Sequence, residues 1–228
     1  MENFSIKIKT AELFEPGRTR AWEWLEKTEY PWEILPRIKD IIGEIAKKLP
    51  SDIYEEREEG VFIARSAKIY PNVYIVPPCI IGENTEVRPG AFLRGNVLVG
   101  DNCVVGNSTE IKNAIVSDNV QIPHYNYVGD SVLGYRSHMG AGSVTSNVKS
   151  DKTLVTVKLP GGEVIETGLK KFGAMLGDFV VVGCGSVLNP GTIVGDHSNI
   201  YPLSSVRGVV PAGSIFKSGK GVEIVEKS

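Results

Sequence analysis

Residues 111–130, which read IKNAIVSDNVQIPHYNYVGD, contain side chains suited to acid–base and anion-binding chemistry. His124 is of the residue type most readily poised as a general base near neutral pH. Lys112 provides a cation, and Arg94 provides a second one eighteen residues earlier. Tyr127 follows His124 by three positions. These residue types indicate a site that binds an anionic substrate and accepts a proton from it.

The elements that position these residues follow from an apolar residue at every sixth position. The first series runs through Ile63, Ile69, Ile75, Ile81, Val87, Leu93, Val99, Val105 and Ile111. It shortens by one residue to Val116, resumes at Ile122 and Val128, shortens again to Leu133 and breaks after Met139. The second series runs through Leu176, Val182, Leu188, Val194, Ile200 and Val206. A period of six fits neither a helix nor a simple strand alternation. It fits a coil with three flat sides, in which apolar residues stack along the axis. We therefore predict an all-β fold, a parallel β-helix of hexapeptide repeats, rather than a sandwich with strands spaced by ~8–12 residues.

Coil geometry converts sequence separation into spatial proximity. Arg94 and Lys112 each follow an apolar residue and are one full coil apart, so they are expected on the same face at the ~5 Å spacing of neighbouring strands. No acidic residue shares their position in the repeat. A phosphate or carboxylate would relieve the repulsion between the two cations. The alternative is a solvated basic face.

The same geometry places His124 one coil before Ala141, beside the tight MGAG backbone. A lone His is more often a surface or structural residue, but here Tyr127 and Lys112 lie close by. Of the two other histidines, His138 falls near the predicted site and His197 occupies an ordinary corner. We interpret His197 as structural.

The remaining segments are predicted to decorate the coil. Residues 1–60 are expected to form an N-terminal cap, with one amphipathic helix packed on the first coil because Ile34, Leu35, Ile38, Ile41, Ile42, Ile45 and Leu49 follow helical spacing before Pro50. Residues 61–228 are expected to form the β-helix domain. An insertion at about residues 148–172 carries KTLVTVKLPGGEVIET, which predicts a projecting β-hairpin around its Pro-Gly-Gly turn.

Composition excludes several classes of function. The 228-residue chain has a net charge of −2 and a pI near 6.0, so neither nucleic acid nor an anionic membrane is expected as a partner. No apolar run of ~18 residues and no secretory leader is apparent. Three cysteines without disulfide or metal-binding spacing favour a cytoplasmic protein with reduced thiols.

Several motifs resemble a known family. GNSTEIKNAIV, HYNYVGDSVLG and MGAGSVTSN resemble the acetyltransferase half of bifunctional glucosamine-1-phosphate acetyltransferase/UDP-N-acetylglucosamine pyrophosphorylases, and KKFGAMLGDFVVVGCGSVLNPGTIVG is similar to the C-terminal domains of sugar-1-phosphate nucleotidylyltransferases. The resemblance extends from about Tyr30 onward, and the E-x-K and H-x-x-Y-x-G-D patterns are specific. It implies a left-handed β-helix, a homotrimer with active sites between subunits, acetyl-coenzyme A as donor and an amino-sugar phosphate as acceptor.

The resemblance also implies roles for individual residues. His124 would be the general base; Arg94, Lys112, Tyr127, Asn147 and Lys152 would bind the sugar phosphate; and Ala141 and Cys184 would line the coenzyme groove. A main-chain N–H beside Ala141 is the candidate oxyanion donor. No metal is required for the transfer.

Several departures from the family pattern leave other functions open. The chain lacks the nucleotide-binding pattern L-x-A-G-x-G-T, so pyrophosphorylase activity is not expected, and His138 and Cys184 replace an Asn and a Ser-like residue. A zinc lyase on the same fold would need three histidines with an H-x-x-x-x-H pair, a spacing that the three histidines lack. A non-catalytic sugar-nucleotide-binding or assembly module, or an acyltransferase for another acceptor, remains open.

Overall fold

The repeat series folds into a triangular coil whose three faces are parallel sheets. The computed structural model describes residues 6–218 and 222–226, and residues 1–5, 219–221 and 227–228 of the predicted cap and β-helix domain lie outside the described residues. Face 1 contains the strands Val61–Ala64, Cys79–Ile81, Val97–Val99, Ala174–Leu176, Thr192–Val194 and Val209–Val210. Face 2 contains Lys68–Ile69, Glu86–Val87, Val104–Asn107, Gln121–His124, His138–Met139, Val181–Val182, Asn199–Ile200 and Ser214–Ser218. Face 3 contains Tyr74–Val76, Phe92–Arg94, Val144–Thr145, Val187–Leu188 and Ser205–Val206. Tyr54–Glu58 and Val222–Glu226 pair antiparallel at the two ends. The predicted left-handed β-helix is confirmed.

Apolar residues of the repeat fill the axis of the coil. Every third member of the series, one coil further on, lies opposite its predecessor in register, as Ile75, Leu93, Ile111 and Val128 do on face 3. Almost all members are fully buried in one continuous core. Burying one such side chain stabilises the fold by ~1.5–3 kcal/mol. Stacked burial of this kind fixes the register of every coil.

The two shortened units produce continuous strands that cross a corner. Glu110–Val116 and Tyr127–Leu133 each run from face 3 to face 1. A single residue makes each corner in the left-handed region, Asn113 at φ +47° and Asp130 at φ +48°. The first series also extends one unit further than predicted, because buried Thr145 continues it and lies opposite Leu188.

The predicted helix is present in two parts. A 3-10 helix spans Pro31–Arg37, and an α-helix spans Ile38–Ala46, beginning after Pro36, which lacks a main-chain donor. The α-helix lies along the outer side of face 1, where Ile80, Leu98 and Ile115 are buried beneath the helical layer, so it covers several coils rather than the first coil alone. Among the described helices, none combines the length and apolar character needed to cross a bilayer.

Residues 7–20 differ from the expected terminal cap and form a strap along the corner between faces 1 and 2. Two short helices, Thr10–Leu13 and Trp22–Leu25, lie within or beside it. The strap contacts four corners of the coil. Lys7 Nζ lies 3.0 Å from Asp196, and Arg20 Nη2 donates to Asp101 at 3.0 Å. Between them, Asp178 N–H donates to Leu13 O at 3.0 Å and Asp118 N–H donates to Arg18 O at 2.9 Å. At each of these four corners an Asp anchors the N-terminal segment, either through a carboxylate that accepts or through a main-chain N–H that donates.

The predicted hairpin consists of Thr156–Lys158 and Val164–Glu166, which pair antiparallel. Its first strand packs against the coil instead of standing clear of it, because Val155 and Val157 are fully buried. Gly191 and Gly208 permit this approach: a Cβ at either glycine would lie 2.7 Å from a main-chain oxygen of the strand.

The contact between the strap and Asp178 predicts a pH dependence of stability. Burial raises the pKa of Asp178 from 3.8 to about 6, although the N–H groups of Glu15 and Tyr135 donate to its carboxylate. Because this pKa is raised in the folded state, the stabilising contribution is present below about pH 4 and is lost as the pH rises through about 6. We expect the free energy of unfolding of the native protein minus that of Asp178→Asn to fall by about 2–3 kcal/mol over this range, as measured by urea denaturation. A difference that stays constant or grows with pH would contradict this assignment.

Candidate active site

The predicted basic pair is present, but each cation already has an acidic partner. Arg94 and Lys112 follow Leu93 and Ile111, which lie opposite each other on face 3, so their one-coil separation is confirmed. Arg94 Nη1 donates to Glu110 Oε1 at 2.5 Å, and Lys112 Nζ lies 4.0 Å from Asp130 Oδ2. The expectation of two unbalanced cations is therefore wrong. Equivalent repeat positions contain no acid, but other positions do. Glu110, two residues before Lys112, pairs with Arg94 of the preceding coil, and Asp130 pairs with Lys112 from the corner of the following coil.

A buried carboxylate organises the corner between faces 3 and 1. Asp130 is 5% exposed and accepts hydrogen bonds from Asn113 Nδ2 at 2.9 Å and Asn147 Nδ2 at 2.5 Å. Asn113 belongs to the preceding coil and Asn147 to the following one. Asn113 Nδ2 also donates to Leu35 O at 3.3 Å, which links the cluster to the 3-10 helix. Sequence reasoning missed Asp130 although it closes the H-x-x-Y-x-G-D motif.

Tyr127 lies over this cluster. Its hydroxyl accepts a hydrogen bond from Asn147 Nδ2 at 3.2 Å. A Cβ on Gly129 would come within 2.5 Å of that hydroxyl, so the glycine provides the space in which the ring lies. Burial, with the charges of Asp130 and Glu110, raises the pKa of Tyr127. The phenol is thus a neutral hydrogen-bonding group beside Lys112 and Asn147.

His124, Ala141 and Cys184 form a column at the corner between faces 2 and 3. Gly142 N–H donates to His124 O at 3.0 Å, and Gly185 N–H donates to Ala141 O at 2.8 Å, as expected for residues one coil apart. Asn126 fastens this corner because its amide donates to Gly140 O at 2.8 Å and its Oδ1 accepts from His124 N–H at 3.0 Å. Tyr127 begins the next strand, so this column and the Asp130 cluster share one coil.

Two glycines beside the His124 column leave a gap, the groove, between larger side chains. Gly142 and Gly185 lie between two large exposed side chains, Tyr125 and Leu203, which are 66% and 80% exposed. A Cβ on Gly142 would meet nothing within 4 Å. Within the part of the chain that the structure describes, Ala141 N–H has no hydrogen-bond acceptor. The groove therefore offers a free donor above a floor of small residues.

The other histidines differ in their surroundings. Burial and the neighbouring His124 lower the pKa of His138, which keeps its imidazole neutral. His197 stacks on Phe179 with a centroid distance of 4.6 Å and lies 3.2 Å from Asp196 Oδ2 at the opposite corner, a position that suits a structural role. Among residues 6–218 and 222–226, no three His, Cys, Asp or Glu side chains form a group that could hold a metal ion.

Lys152 is the predicted site residue that the structure does not bring to the cluster. It lies on the loop before the hairpin with φ +57°, and its N–H donates to Lys149 O at 3.0 Å. Its side chain contacts neither Asp130 nor Asn147 among the described residues. The insertion separates Lys152 from the corner because the chain leaves the coil directly after Asn147.

Comparison with known proteins identifies the family. The profile of the GMPPB C-terminal domain family matches residues 75–218, which comprise most of the coil. The chain belongs to this family. A relative named bifunctional sugar-1-phosphate nucleotidylyltransferase/acetyltransferase from Sulfurisphaera tokodaii is 34% identical over 157 residues, which cover 69% of this chain and 39% of the relative. The bifunctional protein GlmU of Methanococcus maripaludis (strain DSM 14266) is 35% identical over 194 residues, 83% of this chain and 47% of the relative.

These relatives confirm the resemblance. The chain spans less than half of the length of each of them. Among solved structures, UDP-N-acetylglucosamine O-acyltransferase (LpxA) from Moraxella catarrhalis matches with a TM-score of 0.41 and 15% identity over 74% of this chain and 73% of that chain.

The buried position of Asp130 generates a stability prediction. Asp130→Ala removes the buried carboxylate that two half-buried amides and Lys112 share as a partner, so the free energy of unfolding should fall by about 2–4 kcal/mol. Urea denaturation measures this change. The matched control is Asp52→Ala at an exposed site, which should alter stability by less than about 0.5 kcal/mol. Equal effects of the two substitutions would show that Asp130 does not organise the corner.

Proposed function

We propose that this member of the GMPPB C-terminal domain family is an acetyl-coenzyme A-dependent N-acetyltransferase acting on an amino-sugar phosphate of the glucosamine-1-phosphate type. One observation carries the proposal: the column of His124, Ala141 and Cys184 lies in the same coil region as the cluster around Asp130. In this proposal a general base and a free main-chain donor act in the same coil region as the groups that would bind the sugar phosphate. The similarity to the bifunctional nucleotidylyltransferase/acetyltransferase of Sulfurisphaera tokodaii supports this proposal.

The acceptor would occupy the corner beside face 3. Tyr127 and Asn147 supply hydrogen-bonding groups for sugar hydroxyls, and Lys112, held by buried Asp130, supplies a fixed cation for the phosphate. Arg94 adds a second cation but must rearrange from Glu110 to reach a ligand. Lys152 would join only through movement of the loop that carries it. Precise alignment of the amine by such groups can lower the barrier by ~7–11 kcal/mol.

The coenzyme would lie in the groove between Tyr125 and Leu203. Three coil spacings separate these residues, or about 14 Å, a length suited to an extended pantetheine arm over the two glycines. The thioester would then end beside Ala141, with Cys184 flanking the arm. Ala141 N–H is placed to donate to the oxyanion that develops on the thioester carbonyl.

Transfer needs one base and no covalent enzyme intermediate. His124 takes a proton from the attacking amine as the C–N bond forms, and the C–S bond breaks to release coenzyme A, which recovers the proton as a thiol. The lowered pKa of His138 disfavours a second positive charge near His124.

Assembly completes the proposal. His124 and Tyr125 protrude at an open corner, and one corner alone cannot exclude water from a thioester. We propose a homotrimer in which a neighbouring subunit covers this corner, with residues 61–228 as the transferase unit in a cytoplasmic setting.

Release of free thiol from acetyl-coenzyme A tests the function across a panel of amino-sugar 1-phosphates. We expect His124→Ala to lower kcat/KM by about 10²–10⁴-fold, and the control His197→Ala to leave it unchanged. No turnover with any acceptor would refute the transferase and favour a non-catalytic binding module. Turnover that survives His124→Ala would refute only its role as the base.

A further inference from the structure

The hairpin insertion and the last coils enclose a second cavity, distinct from the candidate active site. This cavity of about 230 Å³ is lined by Lys149, Asp151, Thr156, Lys158, Pro190, Arg207 and Gly208. Its walls come from the loop after Asn147, the first hairpin strand and two corners between faces 3 and 1. The close approach of the strand to Gly191 and Gly208 holds these walls together.

Positive charge exceeds negative charge in this cavity. Lys149, Lys158 and Arg207 face a single carboxylate, that of Asp151. Lys149 is fixed in place: its Nζ donates to Thr153 Oγ1 at 2.6 Å, lies 3.6 Å from Asp151 Oδ2, and its side chain is only 26% exposed. The net charge of the four groups is +2, whereas the cations of the candidate active site are balanced by Glu110 and Asp130.

Arg207 has donor capacity to spare. One N–H of its Nη2 is directed to Asn189 Oδ1 at 3.2 Å. In the part of the chain that the structure describes, neither Arg207 nor Lys158 forms an ion pair. A guanidinium can donate two parallel hydrogen bonds to a phosphate, and a lysine adds a point charge.

The cavity lies too far from Lys112 to be part of the same anion site. Equivalent positions on face 3 are occupied in order by Arg94, Lys112, Gly129, Ser146, Asn189 and Arg207. Four coil spacings separate Lys112 from Arg207, or about 19 Å. An anion held by Arg207 therefore cannot contact Lys112.

We propose that this cavity binds a phosphoryl group, with Arg207 and Lys158 as its ligands and Lys149 as a fixed supporting charge. A phosphoryl dianion neutralises the surplus of +2. The volume is below the ~300–1,000 Å³ of typical ligand pockets, so the cavity accepts a phosphoryl group with a small attachment rather than a whole nucleotide. Free phosphate and the phosphate of a larger ligand share this chemistry.

Binding to the full chain tests the proposal without any turnover. Titration calorimetry at constant ionic strength measures the Kd for inorganic phosphate, glucosamine 1-phosphate and coenzyme A. We expect Arg207→Ala combined with Lys158→Ala to raise the Kd of at least one of them by about tenfold or more. Arg207→Lys retains the charge but loses the two parallel N–H donors of the guanidinium, so we expect it to retain only part of the native affinity. Lys47→Ala, an exposed cation on another element, is the matched control.

The pattern across ligands identifies the source. A loss confined to inorganic phosphate assigns the site to the free ion, and a loss for glucosamine 1-phosphate or coenzyme A assigns it to that ligand. Unchanged affinity for all three, or a loss matched by Lys47→Ala, overturns the proposal, as does binding of inorganic phosphate that Lys112→Ala alone abolishes. Because the binding of inorganic phosphate is measured without acetyl-coenzyme A or turnover, failure of the phosphate site and failure of the transferase function are distinguishable. Circular dichroism verifies that each variant is folded.

Discussion

Axial stacking of one apolar residue per repeat is the constraint on which the rest of the structure depends. Each residue that points to the axis fixes where its neighbours point, so the outward positions also repeat from coil to coil. Leu93, Ile111 and Val128 therefore determine where Arg94, Lys112 and Gly129 lie. Chemistry on this surface is organised in columns, and a ligand encounters residues that are one coil apart in sequence.

Departures from the six-residue repeat create the polar site. A five-residue unit leaves no room for an ordinary turn, so one left-handed residue must make the corner, and Asn and Asp adopt that conformation more readily than most residues. Asn113 and Asp130 occupy these positions. With Asn147 they form a ladder in which a carboxylate accepts from an amide on each side. The shortening of the repeat and the polar cluster are thus one structural feature.

Much of this arrangement could be predicted from the sequence. The period of six gave the coil and the one-coil relations of Arg94 to Lys112 and of His124 to Ala141, because these depend only on counting residues. The partners of the cations could not be obtained in this way. Glu110 reaches Arg94 from the next coil, and Asp130 reaches Lys112 through a corner whose left-handed geometry no periodic pattern reveals. The strap and the packing of the hairpin on the coil could not be predicted for a related reason, because their contacts involve segments that have no repeat.

Non-repeating segments give a repetitive coil its distinct ends and faces. The helix beginning at Ile38 covers face 1, and the strap closes the corner between faces 1 and 2. The hairpin covers the corner between faces 3 and 1 near Pro190 and Gly208. These layers leave the corner of His124 open and bring Lys158 beside Arg207. Each insertion thus adds side chains that the repeat cannot supply, which explains how a fold with one repeated unit can carry two different cationic environments about 19 Å apart.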